Sequence, residues 1–389
     1  MAVHGMERII DGDGHVIEDI EGIKAYLPGE WQANTTTRTQ GVFPRLDHMH
    51  NSLDTNPPGA FINPGPDGWV RFLDELGLDA AVLYPTAGLA FGKMIDIDLA
   101  VGTARAYNDW LYEAYLKRDE RLKGIALIPL QDPEAAVAEL RRAVEQQGMV
   151  GALLPSTGLK SHLGDKMYWP VYTEADRLGC CLAVHGGAHS GLGFDHMNVF
   201  AATHALGHPF GIAIVFASMV INGIFDRFPN ARYGFMEGGV GWFLMALERL
   251  EGSYRAFTPH YPKLALEPGE TPADYAMRHV KAGRLFVGVE GEEPDLGHAV
   301  RSRGAEAFVF SSDFPHEVNI ETCKHEVEEM LENEELDAAA KRAIFYENAE
   351  RFYGLAAPSP AARERVGVRE RRAQPRGEVR SQQAPVSLT

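Results

Sequence analysis

The chain has 389 residues, of which 45% are hydrophobic and 23% charged, an ordinary globular composition with enough apolar material for a large core. Its formal net charge of -17 argues against nucleic acid and anionic membranes as partners, since both repel such a surface. Only three cysteines occur, Cys180, Cys181 and Cys323, without a CxxC spacing, which argues against a disulfide framework and for a reducing, cytoplasmic location.

The start of the chain, MAVHGMERIIDGDGH, has no basic region followed by an apolar one and does not read as a signal peptide. Eight short apolar runs then read as strands: 7–13, 80–85, 124–130, 151–155, 181–187, 231–237, 285–291 and 307–313. They are continuous rather than alternating, the pattern of strands buried on both faces of a parallel sheet. Helical patterns lie between them. Residues Asp98 to Arg118 carry apolar side chains at helical spacing. Asp132-Pro133-Glu134 combines an N-cap, a first-turn proline and an acid, and starts a helix that runs to about Gln147 and stops at Gly148. Tyr168 to Leu178 stops at Gly179 in the same way. The stretch from Ala205 to Phe225 has no formal charge but contains His208, Pro209 and Asn222, so it reads as a buried helix rather than a membrane span. Helices over Trp242 to Tyr254, Asp274 to Ala282 and Ile320 to Asn333 follow.

Eight strands alternating with helices give a (β/α)8 TIM barrel in one domain over 1–355. A doubly wound open sheet is the competing architecture, but no GxGxxG follows the first strand. Three segments exceed the minimal barrel. Residues 19–67 form a long insertion after strand one, expected to act as a lid, with His48 and His50 on its surface. Residues 187–207 are rich in Gly and His and read as a loop holding His189, His196 and His204, with His208 opening the helix that follows. Residues 356–389 form a C-terminal extension with seven Arg and three Glu, expected to be mobile or to reach a neighbouring subunit.

Barrel chemistry sits at the C-terminal ends of strands. Strand one ends in Asp11-Gly-Asp13-Gly-His15, followed by Glu18. Strand five ends at His185, strand six at Glu237, and strand eight at Ser311-Ser312-Asp313, with His316 close behind. Asp13 and His15, two apart on a strand, point to one face. With His185 and Asp313 they make a ligand set for one divalent ion, zinc first, then manganese or iron. A water on such an ion is acidified towards a pKa of ~7, and Asp313 is placed to accept its proton. Glu18 is either a further ligand or a hydrogen-bond partner of His15. Glu237 and His208 are acid/base candidates and His316 a substrate contact. The acids Glu290, Glu292 and Glu293 read as a solvated loop. No Gly-x-Ser-x-Gly elbow supports a serine hydrolase.

On IIDGDGHVIE, LAVHGG, GIFDRFPNARYGFMEGGVGW, FSSDFPHE and ENAERFYGL, the chain resembles the amidohydrolase-related family that contains aminocarboxymuconate-semialdehyde and resorcylate decarboxylases. The resemblance spans residues 9 to 355. It implies a metal-dependent barrel with the first-strand ligand pair at Asp13 and His15, the strand-five ligand at His185 and the strand-eight aspartate at Asp313. Two departures stand out. The first-strand pair is Asp-x-His where the decarboxylases have His-x-His or Glu-x-His, and Glu237 stands where they place a histidine before Gly-Gly. The second departure tilts the expectation from decarboxylation towards hydrolysis of a small carboxylated, cyclic or ring-cleaved compound, with a carboxy-lyase as the alternative and a non-catalytic metal-binding barrel as the third reading. A homo-oligomer is expected from the apolar helix and the tail.

Overall fold

The computed structural model describes residues 6–46, 57–194, 196–257 and 264–355; His48, His50 and the extension at 356–389 lie outside the described residues. Eight strands, β1 (Ile10–Val16), β2 (Ala80–Pro85), β3 (Leu122–Ala126), β4 (Gly151–Pro155), β5 (Cys181–His185), β6 (Arg232–Met236), β7 (Leu285–Val289) and β8 (Phe308–Phe310), form one parallel sheet in chain order. The sheet curls until the chain beyond β8 meets β1, where the Asp313 amide donates to the Asp13 carbonyl (2.9 Å) and the His15 amide to the Phe314 carbonyl (2.7 Å). The result is the expected (β/α)8 barrel, its strands buried in apolar side chains, with Phe235 packed outward against Phe216 of the surrounding helices.

In the insertion after β1, helices α1 (Ile20–Lys24), α2 (Gly29–Ala33) and α3 (Thr35–Gln40) precede α4 (Gly65–Leu76). Then come α5 (Ile97–Leu111), α6 (Pro133–Gln147), α7 (Trp169–Leu178), α8 (Phe200–Ile221), α9 (Ile224–Arg227), α10 (Gly241–Phe257), α11 (Pro272–Lys281), α12 (Leu296–Arg303), α13 (Ile320–Glu332), α14 (Ala338–Arg342) and α15 (Asn348–Tyr353). Local chemistry explains the boundaries. Asp132 accepts from the Glu134 and Ala135 amides and Pro133 opens α6, while Gly148 ends it in the left-handed region at φ 68°. Thr271 and Asp274 close a capping box on α11.

Three boundaries differ from expectation. β1 continues through His15 rather than stopping at Asp13. The apolar run ends before it, but a bulge between Asp11 and Gly14 absorbs an extra residue and the strand goes on. Gly14 is there for space, since a Cβ would fall 2.3 Å from the Trp69 ring. β8 is short, because beyond Phe310 the Asp11 side chain replaces a ladder partner. The loop expected over 187–207 ends early: α8 begins at Phe200, so His208 lies inside the helix rather than at its start, one turn after His204.

Helix α8 has the length and apolarity of a membrane span, with 22 residues and a mean hydropathy of 1.6. Its residues Ile212, Val215, Phe216 and Met219 are buried in the molecule's core, and it carries polar residues to the barrel mouth. Cys180, Cys181 and Cys323 are buried free thiols.

Candidate active site

Two histidines and two aspartates meet at the C-terminal mouth of the barrel. His15 Nε2 lies 3.5 Å from Asp13 Oδ1 and 3.3 Å from Asp313 Oδ1, and His185 Nε2 lies 3.3 Å from Asp13 Oδ2. The donors form two triads joined at His15: Asp13, His15 and His185 in one, His15, Asp313 and His316 in the other, with all atoms of each triad within 4.8 Å of one another. His15 Nε2, His185 Nε2 and Asp13 Oδ1 are buried without a hydrogen-bond partner, and Asp313 Oδ1 has His316 Nδ1 at 2.8 Å. Buried polar atoms are rarely left so. Three of them, two nitrogens and an oxygen, in one triad fit a divalent ion well, with Asp313 beside it across His15.

Each imidazole is turned by a bond on its far side. His15 Nδ1 donates to the Pro85 carbonyl (2.9 Å), which leaves the Nε2 lone pair facing the aspartates. His185 Nδ1 donates to the Gly186 carbonyl (3.0 Å) and also faces Glu237 Oε2 at 3.3 Å. His316 Nδ1 sits 2.8 Å from Asp313 Oδ1, with its Nε2 bonded to the Thr86 hydroxyl at 2.9 Å. The His316 ring stacks between His15 (centroids 4.0 Å apart) and Phe61 (5.3 Å).

Asp11, which held no assigned role in the sequence, ties the mouth together. Its carboxylate accepts from the Ser312 amide (2.9 Å) and hydroxyl (2.7 Å), so β1 and the Asp313 segment are held side by side. Glu18 lies outside both triads. Its carboxylate accepts from the Thr86, Ala87 and Gly88 amides (3.3, 2.9 and 2.8 Å) and fixes the turn after β2. Glu237 and His208 meet on the other side of His185, with His208 Nδ1 3.4 Å from Glu237 Oε2. His189 packs edge-on against His208, while His196 is exposed. Glu293 accepts from the Val240 and Glu290 amides and so braces two loops.

The family model for amidohydrolases matches residues 10–355. The chain belongs to the amidohydrolase family. It is an enzyme by that membership, and the curated relatives that follow are named as decarboxylases. It is 25% identical over 292 residues to the 2-amino-3-carboxymuconate-6-semialdehyde decarboxylase of Dictyostelium discoideum, covering 75% of this chain and 77% of that one. It is 27% identical over 305 residues to a gamma-resorcylate decarboxylase of Polaromonas, covering 74% and 87%. An amidohydrolase of Mycobacterium avium subsp. paratuberculosis has the same fold, with a TM-score of 0.70 at 20% identity over 89% of this chain and 99% of that one. So does a manganese-bound dihydroxybenzoic acid decarboxylase of Polaromonas with 2-nitroresorcinol, with a TM-score of 0.65 at 22% identity over 91% and 98%. These relatives give no support to the expectation of hydrolysis.

Burial dominates the electrostatics of the mouth. It pushes the Asp13 carboxyl up, against the pull of His185, and raises Asp313 well above the usual range, helped by Glu237 and Glu317. Glu237 is raised to about 8 by burial, against His185. Burial works to lower His185, but Asp13 and Glu237 outweigh it and lift it to about 9. His15 and His208 are held neutral by burial and neighbouring imidazoles, and His316 is lowered to about 3 for the same reasons.

Backbone strain marks the same place. Among the described residues, three that are not glycine have a positive φ: Phe61 (54°), Glu237 (56°) and Asp313 (53°). All three are at the mouth. Such a conformation costs about 1–2 kcal/mol per residue and persists where surrounding contacts enforce it. A cavity of about 440 Å³ opens beside Asp313, lined by residues including His204, Glu290, Glu317 and Glu326. Among the described residues, no Lys or Arg lines it.

Proposed function

We propose that the enzyme is a divalent-metal-dependent, non-oxidative decarboxylase of a small aromatic or muconate-like acid. The observation that carries the reading is its similarity, over three quarters of the chain, to curated decarboxylases. Asp13, His15, His185 and Asp313 are the proposed ligands, with manganese and zinc the ions to test first. When bound, the ion supplies Lewis-acid polarisation and a fixed point for the substrate's oxygens.

The chain's own residues supply the rest. Asp313 carries a proton in its acid form, and neutral His316 at 2.8 Å takes or returns one, with the Thr86 hydroxyl behind it. That arrangement suits delivery of a proton to the ring carbon that loses carbon dioxide. Phe61, Leu46 and Leu89 line the apolar side of a neighbouring cleft with His316 and suit the face of a ring. Hydrolysis is the competing reading, because Glu237 stands where the decarboxylases of the family have histidine.

The test is incubation of metal-loaded enzyme with a panel of hydroxybenzoates and amino-carboxymuconates. Carbon dioxide release without label from ¹⁸O-water in the organic product supports the proposal; label uptake without carbon dioxide replaces it with hydrolysis. We also infer a homo-oligomer. Leu206, Phe210 and Ile214 repeat every four residues on α8 and are 42%, 43% and 38% exposed, an apolar stripe suited to a second copy. A monomeric mass by light scattering overturns that. The buried free thiols suit a cytoplasmic location.

A further inference from the structure

A second group of ligand-type side chains lies at the mouth, beyond His185, and the proposed chemistry leaves it without a task. His204 and His208 are four apart on α8, so both imidazoles lie on one face of the helix. Glu237, at the end of β6, reaches the same point. One ligating atom from each of the three lies within 4.8 Å of the others, and His208 Nδ1 is 3.4 Å from Glu237 Oε2. The donors of a tetrahedral ion bound at ~2.1 Å are about 3.4 Å apart, so this edge already has the spacing of a coordination site. His204 Nε2 also lies 3.5 Å from Glu317 Oε1, which brings a fourth donor to the rim.

Two further observations point to a cation. His208 Nδ1 and Glu237 Oε2 are both buried without a hydrogen-bond partner. The fit around His208 is also built closely, since a Cβ on Gly186 would sit 1.8 Å from its Nδ1. Any residue but glycine at 186 would push the imidazole out of the group. The second observation is charge. Glu237, Glu290, Glu293, Glu317 and Glu326 share the cavity with Asp313, and no Lys or Arg lines it among the described residues. One ion at the Asp13 centre balances the aspartates there but leaves this side acidic. An anionic acid substrate entering the cavity meets repulsion unless a cation stands there as well.

We propose that His204, His208 and Glu237, with Glu317 at the rim, bind a second divalent transition-metal ion. It lies across His185 from the first, so that the enzyme works with a metal pair. Glu237 then has a ligand's role, which accounts for a carboxylate in place of an imidazole at that position. The inference rests on the metal-dependent reading above, and its test separates the two.

Enzyme stripped by chelator, reloaded with manganese chloride and freed of loose ion by gel filtration is assayed for metal content. Two manganese per chain in wild type and one in His204→Ala is the expected result. One per chain in both overturns the second site and leaves the first intact. Two in both also overturns it, because the second ion is then held elsewhere. None in wild type overturns both centres. The His204 side chain is 41% exposed, so its truncation removes little packing.

Discussion

The Asp11 carboxylate takes both hydrogen-bond donors of Ser312, the amide at 2.9 Å and the hydroxyl at 2.7 Å, at the seam where the barrel closes. Both bonds are buried, and burial raises Asp11 itself to about 6 despite them. Asp13 and Asp313 lie directly beyond this clamp, joined by a backbone bond of 2.9 Å. Replacing Asp11 with Ala leaves the Ser312 donors buried and unmatched, a loss of roughly 2–4 kcal/mol. The expected result is a lower urea midpoint together with weaker metal retention. Unchanged metal affinity in a destabilised variant would show that the clamp supports only the barrel.

Glu18 separates a structural carboxylate from a ligand. Its bonds to the Thr86, Ala87 and Gly88 amides place the turn that carries Thr86, and Thr86 holds His316. Glu18→Gln keeps the size but removes one acceptor oxygen. The expectation is full metal content with kcat reduced about 10-fold, through a loosened His316. Loss of metal in this variant would make Glu18 a ligand after all.

Asp313 is proposed both to hold metal and to carry the proton. Asp313→Asn preserves shape and ends proton transfer, so kcat at saturating manganese falls by about 10²–10⁴. His316→Ala removes only the partner at 2.8 Å and is expected to lower kcat by roughly 10- to 100-fold while sparing metal content. A His316→Ala enzyme as slow as Asp313→Asn would place the imidazole, rather than the carboxyl, in contact with substrate.

Much of the fold was legible because periodicity reports burial. Strands at 80–85 and 151–155 have the bounds expected from their apolar runs, and the caps at Asp132 and Gly148 sit where their chemistry puts them. Asp13, His15, His185 and Asp313 were visible as polar residues ending apolar strands. What stayed hidden depends on partners distant in the chain. Asp11 reads like any strand acid until Ser312, 301 residues away, is seen to face it. Thr86 and Phe61 carry no sequence signal for His316, because packing between loops brings them there. The Gly- and His-rich stretch up to 207 suggested a loop, whereas α8 already begins at Phe200 and takes in Gly207, where burial against the barrel overrides glycine's low helix propensity.

The charge state of the mouth predicts how stability depends on pH in chelator-treated enzyme. Glu237 is raised to about 8, so the folded chain keeps a proton there that the unfolded chain releases near 4.5. His185, raised to about 9, likewise holds a proton that the unfolded chain loses near 6.5. Each contribution is fully present below the unfolded pKa and is lost as pH rises through the folded one. His15, His208 and His316 act in the opposite sense, but their effect is complete once pH passes about 6.5, where the unfolded imidazoles are neutral too. Glu290, raised to about 8 by burial, acts in the same sense, so between pH 7 and 9 the raised groups set the slope and Tm of the metal-free enzyme falls as pH rises. Metal binding requires the deprotonated ligands, so it strengthens over the same interval. The increase in Tm on adding manganese is accordingly larger at pH 8.5 than at pH 7. Scanning calorimetry at both values, with chelator and with manganese, checks this. A manganese-induced shift that shrinks with rising pH would mean that the ion does not bind among these carboxyl and imidazole groups.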